Sequence, residues 1–388
     1  MSDGSVPKSR LRRLLAYFTL RRALVNTGIF FYCLGLFLAF DFAYSSLTSG
    51  EEKERSARIA NPVYDHGFVA NFEGHGVWGD LRYSLATNNL GFKDASVRDV
   101  PLKPDSRRIL LIGDSFTEAI GMNFEDSFAG QLYRAGQQRS GKIEFLNAGV
   151  ASYSPSIYYK KIKYLLERGL QFDEVVVFSD SSDVNDEAKT YFCIDDDPKY
   201  RAHCTPAEGS MQAAATGPGR GDFFVDRFVV TNRVRVFIKQ AIQSLNGNRR
   251  RVMNGYDRSG SIGWTLPGPS PNLAREYEPL SVDGGIARSL QNMRALYDLL
   301  AARNIALTIV VYPWPQQIAQ GDRDSRQVSL WREFCQGRCK AFINLFPAFF
   351  AAADADKEWY EHLFILGDFH FSAAGNRFMF REIARHLL

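Results

Sequence analysis

The sequence predicts an α/β domain: a three-layer sandwich around a central, mostly parallel sheet, carried behind one N-terminal transmembrane helix. Three observations lead there. Short apolar runs such as residues 109–112 and 175–177 alternate with amphipathic helical stretches, the pattern of a parallel sheet covered on both faces. A basic opening segment is followed by an apolar run with no charge from Ala23 to Phe40. Polar clusters follow three of the apolar runs, at the strand ends where open parallel sheets hold their ligands.

Residues 1–22 form a basic cytoplasmic tail. They carry six cations (Lys8, Arg10, Arg12, Arg13, Arg21, Arg22) and one anion (Asp3), a net +5 within a chain of net +4, so the remainder is −1. A near-neutral body argues against nucleic acid as a partner, because phosphate neutralisation needs a basic face. Residues 23–43 are the predicted anchor. As a helix, residues 23–40 reach roughly 27 Å, close to the thickness of a hydrocarbon core. Cations precede the run and Asp41, Glu51 and Glu52 follow it. The positive-inside rule then places the N-terminus in the cytoplasm and the body outside, in a single-pass inner-membrane protein with a periplasmic or otherwise extracytoplasmic domain. The apolar stretch is longer than a usual signal-peptide core and no clean small-x-small site precedes the charged Glu51 segment, so the anchor is expected to stay uncleaved. Cysteine usage agrees with export: Cys33 lies in the span, and Cys193/Cys204 and Cys335/Cys339 form two sequence-local pairs suited to small disulfide loops.

Residues 44–106 read as a stalk (residues 45–60) and a small β-rich lead-in that ends in the turn-forming Thr87-Asn-Asn-Leu-Gly-Phe-Lys-Asp94. The main domain is expected at residues 107–388. Strands are predicted at 109–112, 143–146, 174–178, 305–312 and 342–346, and helices at 127–139, 156–168, 286–302 and 372–388, the last with Ser372 as N-cap. An insertion at about 186–284 opens with a flexible loop to residue 222. A helical stretch at 228–245 follows, then Arg249-Arg-Arg251 as a solvated face, then a Gly/Pro/Ser-rich rim at 255–279.

Ser115 ends the run Arg108-Ile-Leu-Leu-Ile-Gly-Asp-Ser115, and Asp368 and His370 stand almost side by side in Gly367-Asp-Phe-His370. A hydroxyl, an imidazole and a carboxylate are the set that activates a nucleophile for attack on an ester. Ser115 is the candidate nucleophile, His370 the base and Asp368 its orienter. Asn147 to Tyr153 and Asp180 to Asp183 follow the second and third strands. Asp114 reads as a structural turn residue. His66, His75, His203, His362 and His386 lack an adjacent carboxylate in a fitting motif. The chemistry calls for no metal and no cofactor.

These residues resemble the SGNH, or GDSL-type, hydrolases over roughly residues 108–388. Gly113-Asp114-Ser115 is similar to the family's first block, the Asn147/Gly149 loop to its second, Asp180 to Asp183 to its third, and Asp368/His370 to its last. The lead-in Asn89-Leu-Gly-Phe92 resembles one found in membrane-anchored relatives. The resemblance implies an oxyanion site near Gly149, Ser152 and Ser182. Ser152 stands where the family has glycine, and its backbone N–H survives that change. Ser182 stands where the family has asparagine and has a shorter reach; one missing donor costs about 100- to 1,000-fold. Asn185 is a substitute candidate. The single residue between Asp368 and His370 is similar to the alginate O-acetylation branch. The implied function is an extracytoplasmic serine esterase or O-acyltransferase acting on acetylated carbohydrate or exopolysaccharide, within a polysaccharide-modification complex. The alternative is a catalytically weak glycan-binding or assembly component of such a complex.

Overall fold

The computed structural model describes residues 8–48, 57–79, 81–194, 260–266 and 273–388, together with Val230, Thr231, Val234 and Ile238. The chain divides into two units, Met1–Glu51 with Pro218–Gln243, and Glu52–Gly217 with Ser244–Leu388.

In the first unit, α1 (Lys8–Thr48) is one continuous helix. Its segment Leu24–Tyr44, with mean hydropathy 1.6, is long and apolar enough to cross a membrane. Helix therefore continues to Thr48, four residues into the stretch expected to be a stalk. Of the stretch expected to be helical at 228–245, the four described residues are helical.

The second unit is built on an eight-stranded sheet with a separate hairpin beside it. The hairpin pairs β1 (Arg58–Asn61) with β2 (Asp65–Phe68), so the distal part of the expected stalk is a strand. In the sheet, β3 (Glu73–Trp78), β4 (Leu81–Thr87) and β5 (Lys93–Asp94) run antiparallel, and β5 joins β7 through Lys93 and Asn147. The lead-in thus extends the main sheet instead of standing apart from it. The parallel part comprises β6 (Arg107–Gly113), β7 (Ile143–Asn147), β8 (Glu174–Ser179), β9 (Ala306–Val311) and β10 (Ala341–Asn344), in the order β7-β6-β8-β9-β10. This is the doubly wound arrangement, and its topological switch point falls between β6 and β8.

Ile109 to Ile112 and Val175 to Phe178 are fully buried, which is why these strands read as continuous apolar runs. Each such side chain contributes about 1.5–3 kcal/mol on burial. The helices form two groups. α3 (Phe128–Gln138) packs on β7 and on the final helix α11 (Ala373–Leu387), while α4 (Pro155–Glu167) and α5 (Ser182–Lys189) pack with α6 (Ser281–Ala301). Four more helices line the way back to the C-terminus: α7 (Pro315–Gln320), α8 (Arg326–Cys335), α9 (Phe346–Ala355) and α10 (Trp359–Leu363). The one-turn helix α2 (Ser115–Glu118) follows β6. The last strand stops at Asn344, two residues short of the expected end, because Pro347 in the first turn of α9 starts a helix there. Residues 182–189, expected to run into a loop, are helical with an amphipathic face on α6. Residues 195–229, Arg249-Arg-Arg251, and positions 255–259 and 267–272 of the expected rim lie outside the described residues.

Cys335 and Cys339 form a disulfide. Cys193 is disulfide-bonded, and Cys204 lies outside the described residues.

Candidate active site

The tight turn from β6 into α2 delivers Ser115. Asp114 caps α2, its carboxylate accepting the Phe116 N–H at 3.0 Å. Glycine is required at 113, where a Cβ would lie 2.2 Å from Thr117 Oγ1 and 2.8 Å from the Phe178 carbonyl. It is required equally at 149, where a Cβ would meet Thr117 Cβ at 2.7 Å. These close approaches seat the loop after β7 directly against α2.

At the other end of the chain, Ile365 to Phe371 form a tight loop in which Ile365 and His370 are bonded through Ile365 N–H and the His370 carbonyl. His370 is buried, and its Nε2 lies 2.8 Å from Ser115 Oγ. Its Nδ1 lies 2.7 Å from Asp368 Oδ1, which also accepts the His370 backbone N–H at 2.9 Å. With a proton on Nδ1 facing the carboxylate, the Nε2 lone pair faces the serine hydroxyl. Burial works to raise Asp368. The hydrogen bonds and charge of His370, together with the indole N–H of Trp78, outweigh it and hold the carboxyl below its usual range.

Trp78, from β3, was not legible as a site residue. Its Nε1–H donates to Asp368 Oδ2 at 2.7 Å, and its ring meets His370 edge-on at 5.1 Å. Tyr360 holds the same loop through the Asp368 carbonyl at 2.8 Å and the Gly367 N–H at 3.1 Å. On the other side of the imidazole, Phe369 stacks flat on Trp314 at 4.4 Å, and Phe116 lies 5.0 Å from the His370 ring. Replacing Trp78 by phenylalanine keeps the ring contact and removes the donor. The expected result is a fall in kcat of about 10-fold with KM unchanged, measured by steady-state ester hydrolysis; an unchanged kcat would remove Trp78 from the relay.

The loop after β7 is clamped from several directions. Glu118, fully buried in α2, accepts the Ala151 N–H at 2.7 Å and two bonds from Arg58 at 2.6 and 3.0 Å. His66 Nε2 lies 2.8 Å from the Ala151 carbonyl and its Nδ1 2.6 Å from Asp65. His66 thus meets a carboxylate, but outside any catalytic motif, and it serves the loop. Lys161, whose ammonium burial pushes down to about 7, donates to the Ala148 carbonyl at 2.9 Å. Tyr191 donates to the Ser152 carbonyl at 2.7 Å. Ser152 sits at φ +65°, the left-handed conformation that suits glycine. Neither its N–H nor that of Ser115 is taken by an acceptor among the described residues.

The other expected donors are committed elsewhere. The Gly149 N–H donates to Asn147 Oδ1 at 3.1 Å. Ser182 donates both its N–H and its hydroxyl to Asp180 Oδ1 at 2.7 Å, and the Asn185 amide donates to the Glu276 carbonyl at 2.9 Å. Asp180 also accepts the Trp314 indole at 2.8 Å. Beneath the serine, burial and then the charge of Asp180 push Asp114 well above the carboxylate range.

If the Ser152 backbone is what matters, glycine there keeps kcat within about 3-fold and adds about 1 kcal/mol of stability by relieving the positive φ. Proline removes the N–H and fixes the opposite φ, and is expected to cost about 100-fold or more. Equal kinetics for the two variants would exclude Ser152 as a donor.

A cavity of about 950 Å³, lined by Arg107, Leu166, Gln171 and Arg303 among others, lies at the N-terminal ends of the strands. It is at the opposite end of the sheet from Ser115 and has no part in this chemistry. Among the described residues, no group of His, Cys, Asp and Glu side chains could hold a metal ion.

No protein-family model matches the chain, and no curated relative does. Solved structures do. A lipolytic protein of the G-D-S-L family from Desulfitobacterium hafniense is 14% identical with TM-score 0.36, the match covering 72% of this chain and 99% of that one. A psychrotrophic esterase from Pseudoalteromonas is 12% identical with TM-score 0.37, covering 73% and 99%. An acetylxylan esterase from Geobacillus stearothermophilus is 11% identical with TM-score 0.38, covering 74% and 95%. At such values the functional reading rests on the geometry around Ser115.

Proposed function

We propose that this chain is a membrane-tethered serine esterase or acyl transferase that works through an acyl-enzyme on Ser115, with acetylated carbohydrate as its substrate. The observation that carries the chemistry is His370, within 2.8 Å of Ser115 Oγ and 2.7 Å of Asp368. Ser115 Oγ attacks the acyl carbonyl while His370 Nε2 takes its proton. Asp368, held by Trp78, stabilises the imidazolium that forms. The open N–H groups of Ser115 and Ser152 receive the developing oxyanion. Collapse breaks the ester C–O bond, and His370 returns the proton to the leaving alcohol. Water or a sugar hydroxyl then attacks the acyl-enzyme by the same steps in reverse, giving hydrolysis or transfer.

The carbohydrate substrate draws on the Asp368-Phe-His370 spacing, which resembles the alginate O-acetylation branch. The extracytoplasmic side draws on the cations before the apolar span and on the Cys335–Cys339 disulfide, which suits an oxidising compartment. A weak, glycan-binding component is the second reading, favoured by the commitment of Ser182 and Asn185 to other partners.

The full chain in detergent, incubated with acetylated oligosaccharides and followed by mass spectrometry of the glycan, tests the proposal. Serine-dependent loss or relocation of acetyl groups is expected. Tight glycan binding without turnover, indifferent to Ser115→Ala, would establish the second reading instead.

A further inference from the structure

We propose that His66 is a positioning residue for this reaction: as an imidazolium bridging Asp65 and the Ala151 carbonyl, it aims the Ser152 N–H at the developing oxyanion. This rests on Ser115 as the nucleophile and Ser152 as a donor, and it gives the site a second histidine, charged where His370 acts neutral.

The bonds fix the protonation state. His66 is buried, and both its ring nitrogens face oxygen: Nδ1 lies 2.6 Å from Asp65 Oδ2 and Nε2 lies 2.8 Å from the Ala151 carbonyl. A carbonyl oxygen has no proton to give, and neither has an ionised carboxylate. A neutral imidazole carries one N–H and satisfies only one of the two contacts, leaving a lone pair against the other oxygen. The pair therefore holds one more proton, and imidazole is a more basic home for it than a carboxylate. The carboxylate balances the charge, and the hairpin turn holds Asp65 beside the ring at φ +73°.

The Ala151 carbonyl and the Ser152 N–H belong to one peptide group. That group is planar and trans, so the two point in opposite directions. Fixing the carbonyl on His66 therefore turns the Ser152 N–H away from the β1–β2 hairpin. The peptide before it is held by the Ala151 N–H on Glu118, and the one after it by Tyr191 on the Ser152 carbonyl. When the imidazolium loses a proton, the charge-assisted bond to Asp65 keeps its hydrogen and the Nε2 hydrogen leaves. A lone pair then faces the Ala151 carbonyl, and the peptide plane that carries the donor tilts.

Other titratable and charged groups face the pair. Tyr153 meets the His66 ring edge-on at 5.0 Å and donates to the His66 carbonyl. Burial pushes Tyr64, Tyr153 and Tyr191 upward, so these phenols stay neutral. Glu118, gripped by Arg58 from β1, stays charged. Lys161 donates to Tyr153 Oη at 3.1 Å and titrates at about 7, so the test must separate it from His66.

The full chain in detergent is assayed for kcat against pH with an activated acetyl ester. Nitrogen NMR of histidine-labelled protein, with signals assigned by their loss in His66→Gln, reads the ring directly, and circular dichroism checks that each variant is folded. At about pH 6 both His66 nitrogens are expected to carry protons, and kcat is expected to fall several-fold toward alkaline pH in step with the loss of one. Glutamine keeps an N–H for Ala151 and does not titrate, so His66→Gln should abolish that fall. His66→Leu should lower kcat by about 10- to 100-fold across the range with KM unchanged, most of it recovered in His66→Gln. An unprotonated His66 nitrogen at about pH 6 would overturn the proposal whether or not the chain is active. An alkaline fall that persists in His66→Gln would overturn it and assign the limb to Lys161. A doubly protonated His66 in a parent that forms no acyl-enzyme would refute the chemistry at Ser115, and with it the positioning role, while leaving the charged pair established.

Discussion

Ser115→Ala is expected to reduce acyl transfer by about four orders of magnitude, and His370→Ala to reduce it to a similar level, with the double variant little worse than either. The two side chains act as one unit: a serine without its base is a neutral hydroxyl, and a base without its serine has no nucleophile to activate. Both substitutions should leave the fold intact. Among the described residues Ser115 Oγ bonds only to His370, and the imidazole's removal leaves Asp368 still held by the Trp78 indole and the residue-370 backbone N–H. The measurement is kcat/KM for an activated acetyl ester, with thermal unfolding as control. Additive losses in the double variant would mean that the residues act separately.

The second large effect is at Glu118. Burial alone would raise this carboxyl, but the charge and hydrogen bonds of Arg58, the charge of Lys93 and the Ala151 N–H hold it below its usual range. A carboxylate whose folded pKa is depressed stabilises the protein above its unfolded value, about 4.3, and that stabilisation is lost as pH falls through the folded value. Glu118→Gln is therefore expected to cost about 2–3 kcal/mol at pH 7, where charge-assisted bonds to a buried group are at stake. The gap between parent and variant should begin to narrow as pH falls below the unfolded value of about 4.3, and should close only once pH has fallen through the depressed folded value, where the parent too carries the neutral acid. Since Glu118 also positions Ala151, next to Ser152, kcat should fall by about 10- to 100-fold. Urea unfolding at pH 7 and at pH 3.5 checks the stability part; a gap independent of pH would mean that the charge of Glu118 contributes nothing.

The sequence made the parallel strands legible because burial on both faces leaves continuous apolar runs at their centres, as in Ile109 to Ile112 and Val175 to Phe178. It made Ser115, Asp368 and His370 legible because two of the three sit two residues apart and the third follows directly on an apolar strand. The antiparallel extension was harder to read. β3 to β5 are short, β3 is half-exposed and carries two glycines, and nothing local signals that β5 joins β7 at a single residue pair. For the same reason Trp78 escaped notice, since its partner Asp368 is 290 positions away. Arg58 was read as part of a charged stalk, although its guanidinium meets a carboxylate 60 residues on. The polar clusters ending at Tyr153 and beginning at Asp180 do follow β7 and β8, although Ser182 and Asp183 already belong to α5. The bonding of Ser182 to Asp180 and of Asn185 to Glu276 depends on side-chain direction, which residue spacing does not encode.

The central claim is that Ser115 becomes acylated with His370 as its base. Acid-quenching the full chain during turnover of an activated acetyl ester, then mapping the adduct by peptide mass spectrometry, tests it most directly. The expected result is an acetyl group on Ser115, formed quickly in the parent, slowly in His370→Ala and not at all in Ser115→Ala. Folded protein that turns over the ester with no adduct on residue 115, or with the adduct on another side chain, would contradict it.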